Sequence, residues 1–375
     1  MPDLSHIATQ FQFPGAIDNI RSYGSGIIND TFVVTFSNPA PSSHSRLGKR
    51  AILQRINSQV FPQPIQVMHN LAEILQHVAQ QDSSGLSGKE FLLPPLYTTH
   101  DGNNYFHDQN GDIWRAMAFV EDTSSYDVLV SSKQAFEVGF ALGTFHQRLH
   151  DVAVDRLYDT LPGFHITPGY LKQYDDALMT LPHENAVGEE QSFCQSVITS
   201  NREIANALVD AKPALSTRIM HGDPKLNNVL FDKQTGKAVS IIDLDTVKPG
   251  LVHYDIGDCL RSSCNRSGEM PGPGTNVVFD TTVCHAILDG YFSTGGSFLE
   301  ERDFEFLYQA IMLLPFELGL RFYTDYLLGN RYFKVNSPDD NLHRAITQFK
   351  LLRSIQEQEQ AILDMLHEMK IKAGY

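Results

Sequence analysis

Hydrophobic and polar positions follow one period in the first third of the chain and another afterwards. Runs of β-branched and aromatic residues at 17–24, 31–36 and 50–56, bounded by Gly, Asn and Ser, predict strands. The Ser- and Pro-rich stretch 37–48 predicts a hairpin loop. Over 64–80, Val67, Leu71, Ile74, Leu75 and Val78 fall on one helical face. A polar loop at 81–89 and further strand-like segments follow, ending at 114–120, where Trp114 reads as core. The short polar segment 121–125 reads as a hinge. Beyond it the period becomes helical. In 131–150, Val138, Leu142, Phe145 and Leu149 recur at spacings of four, three and four, a core stripe. Residues 192–212, 277–292, 302–328 and 341–369 also read as helices, with short strands at 228–231 and 239–244. Strands first and helices later predict an α+β fold with a cleft between unlike lobes. The expected division is a β-rich N-terminal lobe over 1–120, the hinge, and a mainly helical C-terminal lobe over 126–375.

At 375 residues the chain exceeds what one hydrophobic core usually serves, about 250–300 residues, in keeping with two lobes. Lys+Arg 29 against Asp+Glu 44 gives a net charge of −15, which repels phosphate backbones and argues against nucleic acid. No stretch approaches the ~20 apolar residues that span a bilayer, and the best candidate, 310–320, is broken by Pro315 and Glu317. No membrane partner is therefore expected. The N-terminus lacks the basic start and apolar run of a signal peptide. The cysteines Cys194, Cys259, Cys264 and Cys284 form no CxxC pair, so they read as thiols of a cytoplasmic protein.

The most informative stretch is 219–261. Phosphoryl transfer from ATP needs a carboxylate beside the acceptor hydroxyl and side-chain oxygens that hold Mg²⁺ on the phosphates. Asp223 is followed five residues later by Asn228, the spacing of a kinase catalytic loop. Asp243 ends the apolar run 239–242, where a carboxylate at the mouth of a strand is the expected second metal ligand. Lys225 is placed to neutralise charge on the γ-phosphate.

This constellation resembles the kinase-like phosphotransferases, specifically their aminoglycoside and choline kinase branch. There HGD replaces the HRD of protein kinases, as His221-Gly222-Asp223 does here, while Asp243-Leu244-Asp245 departs from DFG. The resemblance runs over nearly the whole chain and implies a bilobal protein-kinase-like fold using ATP and Mg²⁺. On the nucleotide side, Gly24 and Gly26 in Tyr23-Gly24-Ser25-Gly26 suit a turn folded over phosphates, a plain hairpin turn being the alternative. Alternation puts Leu53 and Arg55 on one face, where a kinase strand carries its adenine-packing and phosphate-binding residues. Glu73 is the candidate ion-pair partner of Arg55, against the alternatives of a surface Arg and a solvated Glu.

Within that branch the chain is similar to the N-acetylhexosamine 1-kinases. The stretches that carry this are YGSGIINDTF at 23–32, ILQRIN at 52–57, KLNNVLFD with IDLDTVKPGLVHYDIGDCLR, and ELGLRFYTDYLLGNRYFKV at 317–335. The resemblance implies Asp223 as the base, Asn228 and Asp243 as metal ligands, and Arg321 and Tyr332 as groups on a free hexosamine phosphorylated at its anomeric hydroxyl. Arg321 could instead cap a helix or pair with Asp325, and Tyr332 could be core. Asp245 is open to two roles, a sugar hydrogen bond or support of the metal site. Asp255, Asp258 and Arg261 read as an ion-pair cluster that orients the catalytic loop. Alternative acceptors are choline, an aminoglycoside or homoserine. A catalytically dead kinase-like binding protein is disfavoured because Asp223, Asn228 and Asp243 are all present.

Overall fold

The computed structural model describes residues 3–24, 28–42, 44–83, 91–180, 188–270 and 275–375. The chain divides into two compact units, one of residues 1–125, 151–161 and 230–249, the other of 126–150, 162–229 and 250–375.

The first unit is built on an antiparallel sheet. Its strands are β1 (Ala16–Ser22), β2 (Asp30–Ser37), β3 (Arg50–Arg55), β4 (Leu96–Tyr97), β5 (Phe106–His107) and β6 (Ile113–Ala118). Their order is β1-β2-β3-β6-β4, with β5 also paired to β6. Phe32 lies opposite Leu53, and Leu53 opposite Ala116. Alternation therefore sends Val34, Phe36, Ala51, Leu53, Trp114 and Ala116 to one face, which the short helix α1 (Leu4–Ala8) closes with Ile7 and Ala8. The opposite face carries Thr31, Val33, Ile52, Gln54, Arg115 and Met117.

Helix α2 (Pro64–Ser83) follows β3. Its buried Asn70 donates to the carbonyls of Tyr158 and Val247, both at 2.9 Å, and accepts from the Tyr158 N–H at 2.9 Å. One side chain thus ties α2 to both later segments of the unit, 151–161 and 230–249, which the sequence reading placed with the helices. The later segment brings in Ala238–Ile241, paired with Val229–Asp232, against which Thr123–Ser124 adds an edge. That edge lies within 121–125.

The second unit is helical. Its helices are α3 (Ser132–Leu149), α4 (Thr167–Thr180), α5 (Glu189–Ser200), α6 (Ala207–Ala211), α7 (Val252–Ser263), α8 (Thr281–Gly295), α9 (Glu301–Glu305), α10 (Leu307–Leu327), α11 (Asp340–Glu357) and α12 (Glu359–Lys372). Three of the long predicted helices are interrupted, by a 3₁₀ segment at Arg202–Asn206, at Phe306 and at Gln358. Apolar periodicity runs through these breaks because both halves bury the same side. Helix α10 and α11 share a core of Phe316, Leu320, Tyr323, Phe349 and Leu352. Helix α7 packs against α10 and the strand Arg218–Met220. All four cysteines are buried and free. Among the described residues no helix is long and apolar enough to cross a membrane.

Helices α3 and α8 meet backbone to backbone. A Cβ added at Gly139 would lie 1.8 Å from the Ile287 carbonyl oxygen, and one at Gly290 would lie 2.0 Å from that of Phe136. Only glycine fits there. Gly139→Ala should force the helices apart at a cost of about 1–3 kcal/mol or more, read as a lower Tm, and an unchanged Tm would contradict this contact.

Candidate active site

The second unit presents the strand Arg218–Met220, then the loop from His221, then a 3₁₀ turn at Leu226–Asn228. The loop is gripped from below by α7. Asp255, fully buried, accepts from the backbone N–H of His221 at 2.5 Å and of Gly222 at 2.8 Å. Its Oδ2 also meets His146 Nε2 at 2.8 Å, and His146 Nδ1 meets the Tyr291 hydroxyl at 2.9 Å. Two successive N–H groups can converge on one carboxylate because Gly222 has φ +87°, a region that disfavours side-chain-bearing residues. Burial alone would raise the Asp255 pKa. The hydrogen bond and charge of His146, with the loop's contribution, outweigh it and hold the carboxyl below its ordinary range. Asp258 and Arg261 pair with each other at 2.7 Å, so of the expected cluster it is Asp255 that holds the loop.

On this loop the structure brings together three of the predicted residues. Lys225 Nζ lies 2.5 Å from Asp223 Oδ2. Asn228 Nδ2 donates to the Asp223 carbonyl at 2.8 Å, which engages its amide nitrogen and leaves Oδ1 as the atom that could hold a cation.

Arg321 stands on α10 in the same unit, half-buried. Its Cζ lies 4.9 Å from the ring centroid of Tyr170, 5.5 Å from Phe333, 5.6 Å from Phe164 and 5.8 Å from Tyr332. The expected alternative, a pair with Asp325, does not form. Asp325 instead accepts from the N–H groups of Arg331, Tyr332 and Phe333 at 2.8–2.9 Å, and so hangs the Tyr332 segment over Arg321. Tyr332 is 65 % exposed, not core. Burial pushes Tyr170 up to about 12, so it remains a neutral phenol. One turn before Arg321, Glu317 accepts from Thr167 at 2.5 Å and faces His165 at 2.8 Å.

The first unit holds the remaining candidates. Gly24 has φ +74° and follows Tyr23, whose N–H reaches the Thr31 carbonyl at 2.9 Å across the hairpin; Gly26 lies outside the described residues. Arg55 does not face Glu73. It binds Asp30 and Asp112, while Glu73 pairs with Arg156. Leu53 and Arg55 do share a face, but it is the one closed by α1. Gln54 and Arg115, which sequence reasoning missed, lie on the other. Arg115 donates to Gln54 Oε1 at 2.8 Å and its Nη1 faces Asp245 Oδ1 at 2.5 Å. Asn29 donates to Asp245 Oδ2 at 2.5 Å and accepts from the Asn57 N–H at 3.0 Å. Asp245 is 2 % exposed, with its two carboxylate oxygens facing Arg115 and Asn29. Asp243, two residues earlier, is exposed with its backbone at φ +65°, a left-handed conformation that costs a non-glycine residue about 1–2 kcal/mol. Gln54 and Arg115 carried no sequence signal beyond polarity inside a strand.

A family model described as the phosphotransferase enzyme family, APH, matches residues 19–286. An aminoglycoside phosphotransferase from Alicyclobacillus acidocaldarius is similar over 99 % of this chain and 97 % of its own, at 16 % identity and a TM-score of 0.63. A microcompartment-associated aminopropanol kinase is similar over 96 % and 97 %, at 14 % identity and a TM-score of 0.61. An amicoumacin kinase, solved in complex with AMP-PNP, Ca²⁺ and Ami, is similar over 99 % and 94 %, at 14 % identity and a TM-score of 0.54. At these identities the likeness is one of fold, the protein-kinase-like phosphotransferase fold expected from the sequence.

Asp255→Asn keeps the shape but puts an amide where the loop needs a charged acceptor. Breaking a buried charge network costs about 3–5 kcal/mol, so a thermal melt should show a large drop at neutral pH. Because the Asp255 pKa is depressed, its contribution is present above the ordinary carboxyl range and is lost as pH falls through the native value. The Tm values of wild type and variant should therefore converge in acid. Parallel curves across pH would contradict the assignment.

Proposed function

The chain belongs to the APH phosphotransferase enzyme family, and from that membership we propose that it transfers the terminal phosphoryl group of ATP, with Mg²⁺, to a hydroxyl of a small uncharged acceptor. The first candidate is a free N-acetylhexosamine, whose acetamide carries no charge, phosphorylated at its anomeric hydroxyl. Asp223 accepts the hydroxyl proton, and Lys225 beside it balances negative charge. The anomeric hydroxyl is more acidic than other sugar hydroxyls, which suits a carboxylate base at neutral pH. Asn228 Oδ1 and the Asp243 carboxylate are the hard oxygen donors that suit Mg²⁺. When bound, the cation neutralises charge on the nucleotide phosphates. The amicoumacin kinase solved with AMP-PNP and Ca²⁺ supports a nucleoside triphosphate with a divalent ion. Gly24 is the proposed phosphate-turn residue that the described hairpin contains. Arg55 and Glu73 are not proposed for the nucleotide, because their partners are elsewhere.

The observation that carries the choice of acceptor is the surroundings of Arg321. Aromatic boxes bind cations, quaternary ammonium ligands among them. Here the rings of Phe164, Tyr170, Tyr332 and Phe333 already surround the chain's own guanidinium. A cationic acceptor would meet like charge, whereas sugar hydroxyl or acetamide oxygens would accept from the guanidinium fork while Tyr332 covers an apolar sugar face. The amine-alcohol substrates named for the aminoglycoside and aminopropanol enzymes favour the second reading, an amino alcohol such as choline, an aminoglycoside or homoserine.

An ADP-release assay across hexosamines, hexoses, choline and kanamycin, with the product's phosphate position read by NMR, decides between these readings. Asp223→Asn should lower kcat by about 10²–10⁴ with nucleotide binding kept, and a change of only a few-fold would remove it as the base. Arg321→Ala, checked for folding, should lower kcat/KM for the best sugar by roughly 10- to 150-fold, the worth of a hydrogen bond to a charged group. KM for ATP should hardly move. Wild-type sugar kinetics in that variant would shift weight to the amino alcohols.

A further inference from the structure

Beside the catalytic loop stands a buried histidine that the proposed chemistry does not use. His165 is 4 % exposed and has φ +63°, a strained backbone for any residue but glycine. Its Nδ1 lies 2.8 Å from Glu317 Oε1 and its Nε2 lies 3.2 Å from the carbonyl oxygen of Gly222. Its ring stacks on Tyr254 at 5.1 Å with an interplanar angle of 10°.

Both ring nitrogens thus face oxygen acceptors. A carbonyl can only accept, and Glu317 already accepts from Thr167 and lies one turn from Arg321. A neutral imidazole has one N–H and would leave one of these contacts acceptor against acceptor, buried. The imidazolium satisfies both. Of the other groups around it, Asp258 on α7 and Glu317 on α10 favour a cation, the phenols of Tyr254 on α7 and Tyr170 on α4 are neutral, and Arg321 on α10 is the like charge that opposes it. Burial opposes the charge on His165, but the Glu317 carboxylate, with Asp258 and the Gly222 carbonyl adding, outweighs it and holds the imidazole above its ordinary range.

We infer that His165 is a positioning residue: a doubly protonated imidazole that bridges Glu317 of α10 to the Gly222 carbonyl and so fixes the peptide that aims the Asp223 carboxylate. Asp255 holds the N–H groups on one side of this loop and His165 holds a carbonyl. The bridge is present while His165 is charged and is lost as pH rises through its raised native pKa. This role rests on the reading of Asp223 as the base.

The test combines ¹⁵N-histidine NMR with pH-rate profiles on the full chain. At pH 7 to 8 the His165 signal, identified by its absence from His165→Gln, should be that of a doubly protonated ring. Should that variant not fold, the signal is identified by its change in Glu317→Gln, where loss of the carboxylate returns the ring toward neutral. Wild-type kcat should fall on an alkaline limb, that limb should move to lower pH in Glu317→Gln, and it should be missing in His165→Gln. In His165→Gln, kcat should drop about tenfold or more, the worth of a charge-assisted hydrogen bond, with KM for ATP within about two-fold. A singly protonated His165 at pH 7, or the same alkaline limb in wild type and both variants, overturns the proposal. The NMR result does not depend on turnover, so an active Asp223→Asn would remove the base assignment and leave the charged bridge standing.

Discussion

Asp255 is fully buried, and that makes its carboxylate the constraint on which the second unit's loop depends. In a low-dielectric interior an ionised carboxyl must be met by several donors. Here they are two consecutive loop N–H groups and His146. The loop's geometry is therefore inherited from α7, which α10 and the strand Arg218–Met220 hold in turn. Gly222 is the residue that makes this possible, since only its left-handed backbone turns both N–H groups to the same point. Asp223 follows directly, and Asn228 closes the loop by donating back to its carbonyl.

In the first unit the same problem is solved with a full charge pair. The Asp243 backbone is held in a left-handed conformation, and strain of that kind persists only where neighbours over-determine it. Two anchors flank it. Asp245 is buried against Arg115 and Asn29, and the Val247 carbonyl receives the Asn70 amide from α2. A buried ion pair is tolerable only when its remaining donors and acceptors are met. Gln54 Oε1 accepts from the Nε and Nη2 of the guanidinium, and Gln54 donates to the Thr31 hydroxyl at 3.0 Å. The chain therefore spends a carboxylate, Asp245, on bracing, so that its exposed neighbour Asp243 keeps a defined backbone.

Much of this was legible in the residues. The spacing of Asp223 and Asn228, the polar break at Asp243 after an apolar strand, and the switch from period-two to helical patterning are local properties of the chain. Local patterns survive without knowledge of distant partners. Arg55 shows where that reasoning stops. Alternation correctly grouped it with Leu53, but a period of two cannot say which face meets the core. The outcome depended on α1, whose Ile7 and Ala8 cover that face, and it left Gln54 and Arg115 on the other. Helix α7 was read as a charged cluster and not as a helix, because its acidic residues are buried by pairing that no periodicity reports.

By itself the sequence determined the strand-rich start and most of the later long helices, the loop that carries Asp223, Lys225 and Asn228, and the acidic pair at Asp243 and Asp245, because each depends on residues within a few positions of one another. The tertiary structure alone decided what those residues are fastened to. Asp245 meets Asn29 across 216 positions, His146 meets Asp255 across 109, and His165 meets Glu317 across 152. A lone histidine or asparagine has no preferred partner at such separations. Burial chooses the partner, since a polar group removed from water must find whichever donor or acceptor the packing brings within reach.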